Sequence, residues 1–523
     1  MWLLPQIKGA VHAEMQKKGL ALPSDTFYHP TTPSLNQAIV RINIGEGGGG
    51  TGSFVSGKGL ILTNHHVAYD AIASASSAEN NYLKNGFYAK SLDDELKAKD
   101  YYLYIPIEQT EVTDTLAAMV PDTLSGQEKS SASREARQKL IEARKNGNED
   151  LVVEIDDYWA GNRQFMAVYQ VIRDVRIVYN PPSSIGKYGG DIDNWMWPRH
   201  TGDYSFLRAY VAPDGSGREY HEDNVPYNPA LHLDVSASGV EPGDYTMVLG
   251  FPGSTYRFQS SYAFEFYQNH RNEYIIDSYQ AMSNGLELAS KRSEEDAVNI
   301  ASELASVNNA LKYFKGIQRG MKNYNIVERK RAEEEEFSKW VQQEEKRKQK
   351  YGAVLDQLED GFNMAGQSSE KLYASYFPLN NSELLKAAEM YIPFYQKLKG
   401  EEVEFNEQDE DSVLKLHKSI IDSISVQAEI VALEGFLKML TRLPENQSIT
   451  YIENTFSDNG EKSIDEQIDN YIKKLREESI ILNPGEAEKL LGMWKIRQKN
   501  QEVDELVKLA NEHKVYSVTS TNA

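Results

Sequence analysis

The sequence GTGSFVSGKGLILTNHHV, residues 50–67, decides the fold of the first half of this chain. Two runs of apolar β-formers flank the turn Gly57-Lys58-Gly59, and this pattern predicts a β-hairpin. We expect the second strand to end at Thr63-Asn64 and to deliver His65 and His66 at its exit. A histidine on rigid backbone is suited to act as a general base. The competing interpretation is a hydrogen-bonded structural histidine.

The composition excludes several classes of function. The chain has 78 acidic and 56 basic residues and a net charge of −22, which argues against a phosphate-binding surface and against nucleic acid as a partner. We interpret the acidic runs at 333–336 and 401–411 as solvated helix faces and loops. The sequence contains no cysteine, which excludes disulfides, thiolate catalysis and cysteine-ligated zinc. We expect neither a cofactor nor a metal.

The sequence shows no membrane span. No apolar run approaches the roughly 18 residues that a span requires. The first residues, Met1-Trp2-Leu3-Leu4-Pro5-Gln6, are too short for a signal peptide and lack its basic head. We expect any export signal to have been removed or never to have been present.

A glycine cluster at residues 45–52 suggests nucleotide binding, but its context is wrong. Residues 52–58 match the pattern GxxxxGK, yet Gly59 stands where a P-loop carries the Ser or Thr that holds magnesium. The segment is also strand-like where a helix should begin. We interpret the cluster as a loop whose backbone passes close to another part of the chain.

Hydrophobic periodicity predicts mostly β structure in the first half of the chain. Residues 6–20 have a helical pattern, and residues 30–258 form a β region with one helical excursion at 127–144. The last two strands of this region are predicted at 231–235 and 245–251.

The composition changes abruptly after Pro252. No proline occurs between Pro252 and Pro378, and helix-forming residues dominate, with a long helical stretch predicted at 296–350. We therefore predict three parts: a β region at 1–261, an α-helical domain at 262–511, and a return to β structure that begins at 512–523.

Asp203 lies at the mouth of a predicted strand, after an irregular stretch rich in glycine and aromatic residues that suggests a shaped surface. An all-β region with His66 at one strand end and Asp203 at another is what the first barrel of a chymotrypsin-like serine protease supplies. The run Thr63-Asn64-His65-His66-Val67 resembles the Thr-Asn-Asn-His-Val of the HtrA/Deg proteases. This alignment places His66, not His65, at the position of the base.

Three segments together resemble a single family. They are residues 51–55, residues 60–66 and, above all, the string Asn-Trp-Met-Trp-Pro-Arg-His-Thr-Gly-Asp at 194–203. They resemble serine-peptidase family forty-six, the bacterial dipeptidyl-peptidases 7 and 11, over nearly the whole chain. The resemblance implies a mixed β and α fold: a chymotrypsin-like double β-barrel, its second barrel incomplete here, with an inserted α-helical domain as a lid.

The resemblance also implies roles for individual residues. His66 would be the general base and Asp203 its orienting partner. Asn194 and Trp195 would bind the free amino terminus of a peptide. An amide oxygen beside an aromatic wall can hold an ammonium group at a fixed distance from the scissile bond, which suits the removal of dipeptides.

Asn309, in the predicted helical domain, is assigned to the same pocket. Its neighbour Asn308 is a competing candidate, and a polar position on an exposed helix face is the alternative for either residue. The expected partners are peptides with a free amino terminus. The resemblance further implies a homodimer and a periplasmic or otherwise exported location.

The first departure from the family pattern concerns two cysteines. The family usually has one just before the Thr-Gly of the hairpin and one just after the two histidines. Here these positions are Gly50 and Val67. Since both cysteines are absent together, we interpret the change as the loss of a whole disulfide, at a cost of roughly 2 to 5 kcal/mol.

The second departure concerns the nucleophile. The family's catalytic serine lies in a Gly-Asn-Ser-Gly-Ser-Pro segment after the helical domain, and residues 1–523 contain no such segment. Ser216 belongs to a plain turn, and Ser254 corresponds to a position that is not the nucleophile. We expect a fragment or a truncated gene product that hydrolyses nothing. The alternative is a non-catalytic peptide-binding protein; an HtrA-like endoprotease is disfavoured by the amino-terminus pocket.

Overall fold

The computed structural model describes residues 2–30, 32–45, 48–77, 79–121, 123–159, 161–256, 258–293, 296–297, 300–398, 407–457, 460, 462–483, 485 and 504–511. The chain has two compact units, Met1–Phe258 and Gln259–Ala523. The first is built on an antiparallel sheet and the second on helices, so the fold is mixed β and α, as predicted. The predicted return to β structure at 512–523 lies outside the described residues.

A single sheet organises the first unit. In the described part of this unit it has eleven strands, all paired antiparallel, in the order β4-β9-β10-β3-β2-β1-β6-β8-β7, with β11 beside β10 and β5 beside β9. The strands are β1 (Ile39–Ile44), β2 (Gly49–Phe54), β3 (Leu60–Thr63), β4 (Phe87–Tyr88), β5 (Leu96–Lys97), β6 (Tyr101–Glu111), β7 (Leu151–Tyr158), β8 (Arg163–Ile172), β9 (Asp174–Asn180), β10 (Ser205–Val211) and β11 (Val225–Pro226).

Seven α-helices accompany the sheet in the described residues of the first unit, besides short 3-10 turns. They are α1 (Gly9–Lys17), α2 (His65–Ala75), α3 (Tyr82–Asn85), α4 (Thr113–Met119), α5 (Gly126–Lys145), α6 (Ser183–Gly186) and α7 (Gly190–Asp193). The predicted excursion at 127–144 is α5, and the predicted hairpin is β2 and β3, with Ser53 opposite Leu62.

The glycines of β2 allow the predicted close approach, but residues 49–52 belong to a strand and not to a loop. A methyl group on Gly52 would lie 2.6 Å from Ile61 Cγ2 on β3. A methyl group on Gly50 would lie 2.5 Å from Val67 Cγ2 on α2. The strand can therefore approach both its neighbour and the helix only because these positions carry no side chain.

Helix α2 is fixed to the sheet by an apolar face and one hydroxyl. Val67, Ala68, Ala71 and Ile72 are buried against the core of the sheet. The hydroxyl of the fully buried Tyr101 donates a hydrogen bond to the Val67 carbonyl (2.7 Å). Burial raises the pKa of Tyr101 to about 12, so the hydroxyl keeps its proton at neutral pH.

The strands predicted at 231–235 and 245–251 are wrong, because both segments are irregular. The Leu233 amide donates to the Phe54 carbonyl (2.8 Å) and the Phe251 amide to Thr51 Oγ1 (2.9 Å). Val248 is 96% exposed. A strand needs a continuous hydrogen-bonded neighbour, and apolar alternation alone does not supply one.

The second unit consists of helices in its described residues. They are α8 (Ser261–Phe266), a π-helical turn (Tyr267–Arg271), α9 (Asn272–Ser290), α10 (Ala301–Asn323), α11 (Ile326–Gln342), α12 (Glu345–Tyr351), α13 (Val354–Asn381), α14 (Glu383–Glu389), α15 (Ile392–Leu398), α16 (Glu407–Ser423), α17 (Val426–Leu440), α18 (Thr450–Thr455), α19 (Ile464–Glu478) and α20 (residues 505–511). None of the described helices is long and apolar enough to cross a bilayer.

The long helix predicted at 296–350 is interrupted. Helix α10 ends at Asn323 and α11 begins at Ile326, because Asn325 has a left-handed backbone conformation (φ 48°). Asparagine tolerates this conformation better than other residues with a side chain, so it can stop one helix and start the next.

His417 on α16 is fully buried between two polar partners. Its Nε2 lies 2.8 Å from the Ile481 carbonyl, and its Nδ1 lies 2.7 Å from the Tyr391 hydroxyl. A carbonyl only accepts, so Nε2 carries the hydrogen and Nδ1 accepts from Tyr391. Burial, the main influence, lowers the pKa of His417, although the Ile481 carbonyl and Asp504 oppose it.

We expect acid to weaken the helical unit through His417. The pKa of His417 is lower in the folded than in the unfolded chain, so below pH of about 6.5 the unfolded chain binds the proton first. The contribution of uncharged His417 to the stability of the fold is present above that pH. It is lost as the pH falls, by up to about 1.4 kcal/mol per pH unit. Amide hydrogen exchange of α16, corrected for intrinsic rates, should accelerate between pH 7.5 and 5.

The matched control is His417→Gln, whose amide can donate and accept but does not titrate in this range. Its α16 exchange should depend less on pH than in the wild type, whatever its stability at pH 7.5. An equal pH dependence in both proteins would contradict the assignment.

Candidate active site

His66 and Asp203 lie at the same end of the sheet. Strand β3 ends at Thr63, which pairs with Ser205 at the start of the antiparallel strand β10. The residue that follows β3 and the residue that precedes β10 are therefore neighbours. One expectation needs correction: the two histidines do not end a strand, because Asn64 is an extended N-cap and His65 is the first residue of α2.

One carboxylate holds His66 by both its ring and its backbone. Asp203 Oδ2 lies 2.7 Å from His66 Nδ1, and Asp203 Oδ1 accepts the His66 backbone N–H at 3.0 Å. The Asn64 side-chain amide donates to Asp203 Oδ2 (3.3 Å) and to its backbone carbonyl (3.2 Å). Asp203 thus serves at once as partner of the imidazole and as cap of the first turn of α2.

The surroundings of Asp203 favour its ionised form. Burial, the largest influence, raises its pKa, but the hydrogen bonds from the ring and the backbone of His66 act against it. The charges of His66 and Arg199 also lower the pKa of Asp203, and the net shift is downward. The amino end of a helix carries partial positive charge, which further suits a carboxylate. Asp203 is therefore an anion at neutral pH.

This arrangement can perform general-base chemistry. Because Asp203 accepts at Nδ1, that nitrogen carries the hydrogen and Nε2 presents its lone pair. The His66 side chain is 67% exposed, so a reactant can reach it. In the described part of the chain, no serine or threonine hydroxyl is hydrogen-bonded to Nε2. The same residues contain no group of three or more His, Asp or Glu that could hold a metal ion.

The two serines considered as alternative nucleophiles lie in a turn and in an irregular segment. The Ser216 hydroxyl donates to Asp214 Oδ1 at 2.7 Å, inside the turn predicted from the sequence. Ser254 is exposed in an irregular segment.

Asn194 and Trp195 lie in the connection between β9 and β10 that also carries Asp203. Asn194 is half-buried at the end of α7. Trp195 is 57% exposed and has a left-handed backbone (φ 61°), which a tryptophan rarely adopts. The Met196 amide closes the turn on the Asp193 carbonyl at 3.0 Å. Such strain in an exposed aromatic segment is typical of a binding site.

Asn309 belongs to the second unit, where it is exposed on α10. Its neighbour Asn308 is half-buried and accepts a hydrogen bond from Ser283 Oγ on α9 at 2.7 Å. Of the two candidates, Asn308 therefore has a structural task within the helical unit.

The contacts of two further residues of the site could not be inferred from the sequence. The pattern of Asn64 predicts only a strand exit and does not indicate its hydrogen bonds to Asp203. His65 is completely buried, and its tight packing was equally hidden. An N-cap asparagine followed by apolar residues at helical spacing is the one signal that could have revealed the helix start.

The peptidase S46 family model matches residues 1–522. The chain belongs to the peptidase S46 family. Among curated S46 relatives, dipeptidyl-peptidase 7 of Porphyromonas gingivalis is 34% identical over 390 residues, which are 74% of this chain and 54% of the relative. An Asp/Glu-specific dipeptidyl-peptidase of Porphyromonas endodontalis is 36% identical over 351 residues, 66% of this chain and 48% of the relative. The chain spans about half the length of the curated relatives it matches.

Solved structures of a DPP11 are similar to this chain in fold. The crystal structure of Porphyromonas endodontalis DPP11 in complex with the dipeptide Arg-Glu is 28% identical, with a TM-score of 0.74 over 99% of this chain and 73% of that chain. The structure of the same DPP11 without a named ligand gives a TM-score of 0.77 at 27% identity, over 100% of this chain and 74% of that chain.

Proposed function

We propose that this chain supplies the base and the substrate-binding residues of a serine dipeptidyl-peptidase, which removes dipeptides from the free amino terminus of peptides. The observation that carries the proposal is the 2.7 Å contact between His66 Nδ1 and Asp203, in a chain of the S46 family. The names of the curated relatives support the same reaction class.

His66 would take the proton of a serine hydroxyl at Nε2 as the serine oxygen attacks the scissile carbonyl, and would then give it to the leaving amine. The imidazolium formed between these steps is stabilised by the anionic Asp203. Because Asp203 also holds the backbone of His66, the ring keeps its tautomer and its direction while its charge changes.

Asn194 and Trp195, together with Asn309, would fix the amino terminus of the substrate. An amide oxygen accepts hydrogen bonds from an ammonium group, and the face of an indole ring attracts a cation. A fixed ammonium position sets the number of residues that fit before the cleaved bond. This restriction distinguishes an exopeptidase from an endopeptidase.

We further propose the architecture that the family resemblance implies. Residues 1–261 would belong to a chymotrypsin-like double β-barrel, residues 262–511 to an inserted helical lid, and residues 512–523 to the return to the second barrel. The protein would act as a homodimer in the periplasm or another exported location.

A second candidate function is peptide binding without hydrolysis. It is favoured by one observation: Trp195, beside Asn194, is 57% exposed, and such a segment could hold an amino terminus without a nucleophile. Base and orienting residue alone cannot form an acyl-enzyme. We therefore expect the 523-residue polypeptide to bind peptides but to release no naphthylamine from dipeptidyl-naphthylamides.

Calorimetric titration with short peptides tests the binding pocket. A tripeptide with a free amino terminus should bind, and the same peptide acetylated at that terminus should not. Asn194→Ala removes a hydrogen bond to a charged group, worth about 1.5 to 3 kcal/mol, and should weaken binding about tenfold or more.

The matched control is Asn162→Ala, an exposed asparagine at the β7–β8 turn, which should leave binding unchanged. Equal affinity for the free and the acetylated peptide would contradict the pocket. Turnover of a dipeptidyl-naphthylamide that is lost on Ser254→Ala would instead make Ser254 the nucleophile.

A further inference from the structure

His65, next to the base, is a buried histidine without polar partners. Its side chain is fully buried, and neither ring nitrogen has a hydrogen-bond partner among the described residues. Leaving a buried polar group unpaired costs about 1 to 3 kcal/mol, which an apolar ring of similar size would avoid. No polar contact therefore fixes this ring, and its role must follow from the groups that it packs against.

The ring of His65 lies directly beneath the connection between β9 and β10, residues 181–204, called here the β9–β10 connection. A methyl group on Gly186, at the end of α6, would lie 2.6 Å from His65 Cδ2 and 2.9 Å from Nε2. Only glycine therefore allows the connection to rest on the ring. On another side the ring meets Tyr69 edge-on (6.1 Å between centroids), and the Lys187 ammonium lies 4.0 Å from the Tyr69 ring centroid.

The β9–β10 connection transmits this contact to the active site. Its two ends are tied together, since the Gly202 amide donates to the Ile185 carbonyl at 3.0 Å. A methyl group on Gly202 would lie 2.5 Å from Ile185 Cγ2, so this junction is also close-packed. Asp203 follows Gly202 directly, and Asn194 and Trp195 lie between the two ends. A displacement at Gly186 is thus passed to the carboxylate that holds His66.

We propose that His65 is a positioning residue: its uncharged ring seats the β9–β10 connection on α2 and thereby sets where Asp203 meets His66. The effect on the amino-terminus pocket rests on the proposed function, whereas the effect on the His66–Asp203 hydrogen bond does not.

The surroundings of His65 favour the uncharged form of its ring. Burial is the main cause that lowers its pKa, and the charges of Lys187 and His66 act in the same direction, while Asp203 opposes them. A proton on this ring would stand beside Lys187 and compete with His66 for Asp203.

The test uses the chain in solution and two readouts that a merely structural role would not move. The first is the downfield proton NMR signal of His66 Nδ1–H, assigned by its loss in His66→Gln. The second is the dissociation constant of a free-amino tripeptide. His65→Ala removes the ring on which Gly186 rests, and Gly186→Ala places a methyl group against that ring. Each should shift or broaden the Nδ1 signal and weaken peptide binding by about tenfold or more.

Two controls accompany these variants. Gly253→Ala adds a methyl group where no atom lies within 4 Å and should change neither readout. His65→Phe keeps an uncharged ring of similar size and should retain both the signal and an affinity close to that of the wild type.

The proposal is overturned if His65→Ala leaves the Nδ1 signal and the affinity as in Gly253→Ala, even if its melting temperature falls. It is equally overturned if His65→Phe loses the signal while it remains folded. If Gly186→Ala does not fold, the two readouts of His65→Ala alone decide whether the proposal holds. If the wild type binds no free-amino peptide, the proposed function fails, and the Nδ1 signal alone still decides the role of His65.

Discussion

The double variant Gly50→Cys/Val67→Cys is expected to form a disulfide that stabilises the first unit by about 3 kcal/mol, the value for a loop of about 18 residues. A Cβ atom on Gly50 would lie 3.4 Å from Val67 Cβ, close to the range of about 3.5 to 4.5 Å found in disulfides. Replacement of Val67 also removes its Cγ2 atom, which would otherwise lie 2.5 Å from a side chain at position 50.

The chain offers a clean background for this experiment, because it has no cysteine of its own. Thiol titration under oxidising conditions should find no free thiol in the double variant and two after reduction. The free energy of unfolding in urea should fall when a reductant is added. Gly50→Cys alone should be less stable than the wild type, because its side chain meets Val67. Two persistently free thiols in the folded double variant would contradict the geometry.

Asp203→Ala is expected to lower the free energy of unfolding by about as much as the disulfide raises it. It deprives three donors of their acceptor: the ring and the backbone N–H of His66, and the side-chain amide of Asn64. Hydrogen bonds to charged groups contribute about 1.5 to 3 kcal/mol each when buried, and partial solvent access reduces the sum to about 3 kcal/mol. Urea unfolding and loss of the His66 Nδ1–H signal should report both consequences.

The stabilisation of the fold by Asp203 decreases at low pH. Its pKa is lower in the folded than in the unfolded chain, so its stabilisation is present above the unfolded value of about 3.9 and is lost as the pH falls through the folded pKa. The difference in stability between the wild type and Asp203→Ala should therefore shrink below about pH 4. Asp70→Asn, on the exposed face of the same helix, is the control and should change stability little at any pH. A constant difference down to pH 2.5 would contradict the assignment.

The sequence predicted those features that depend on local pattern. The hairpin followed from two apolar runs around a glycine turn, and strand β10 followed from its own alternation. Strands β3 and β10 are antiparallel neighbours. The predicted end of β3 and the predicted start of β10 therefore suffice to place His66 beside Asp203. The string at 194–203 predicted the family, which the family model confirms.

Other features depend on contacts between distant residues and could not be inferred. Nothing near Gly186 in the sequence indicates that it rests on His65. The segments at 231–251 alternate like strands, but pairing requires a partner that no local pattern reveals. The capping of the first turn of α2 could not be inferred, because the carboxylate that accepts the His66 amide belongs to Asp203, far along the chain.

The distance in sequence between His66 and Asp203, 137 residues, also has a consequence for folding. Contacts of such long range form only after the entropy of closing a large loop has been offset by other contacts. Here those contacts are the ladders of β10 with β3 and β9. The start of α2 therefore acquires its cap only when the centre of the sheet is complete. A partly folded chain in which β10 has not docked contains no oriented base, so the imidazole is set for reaction only in the finished fold.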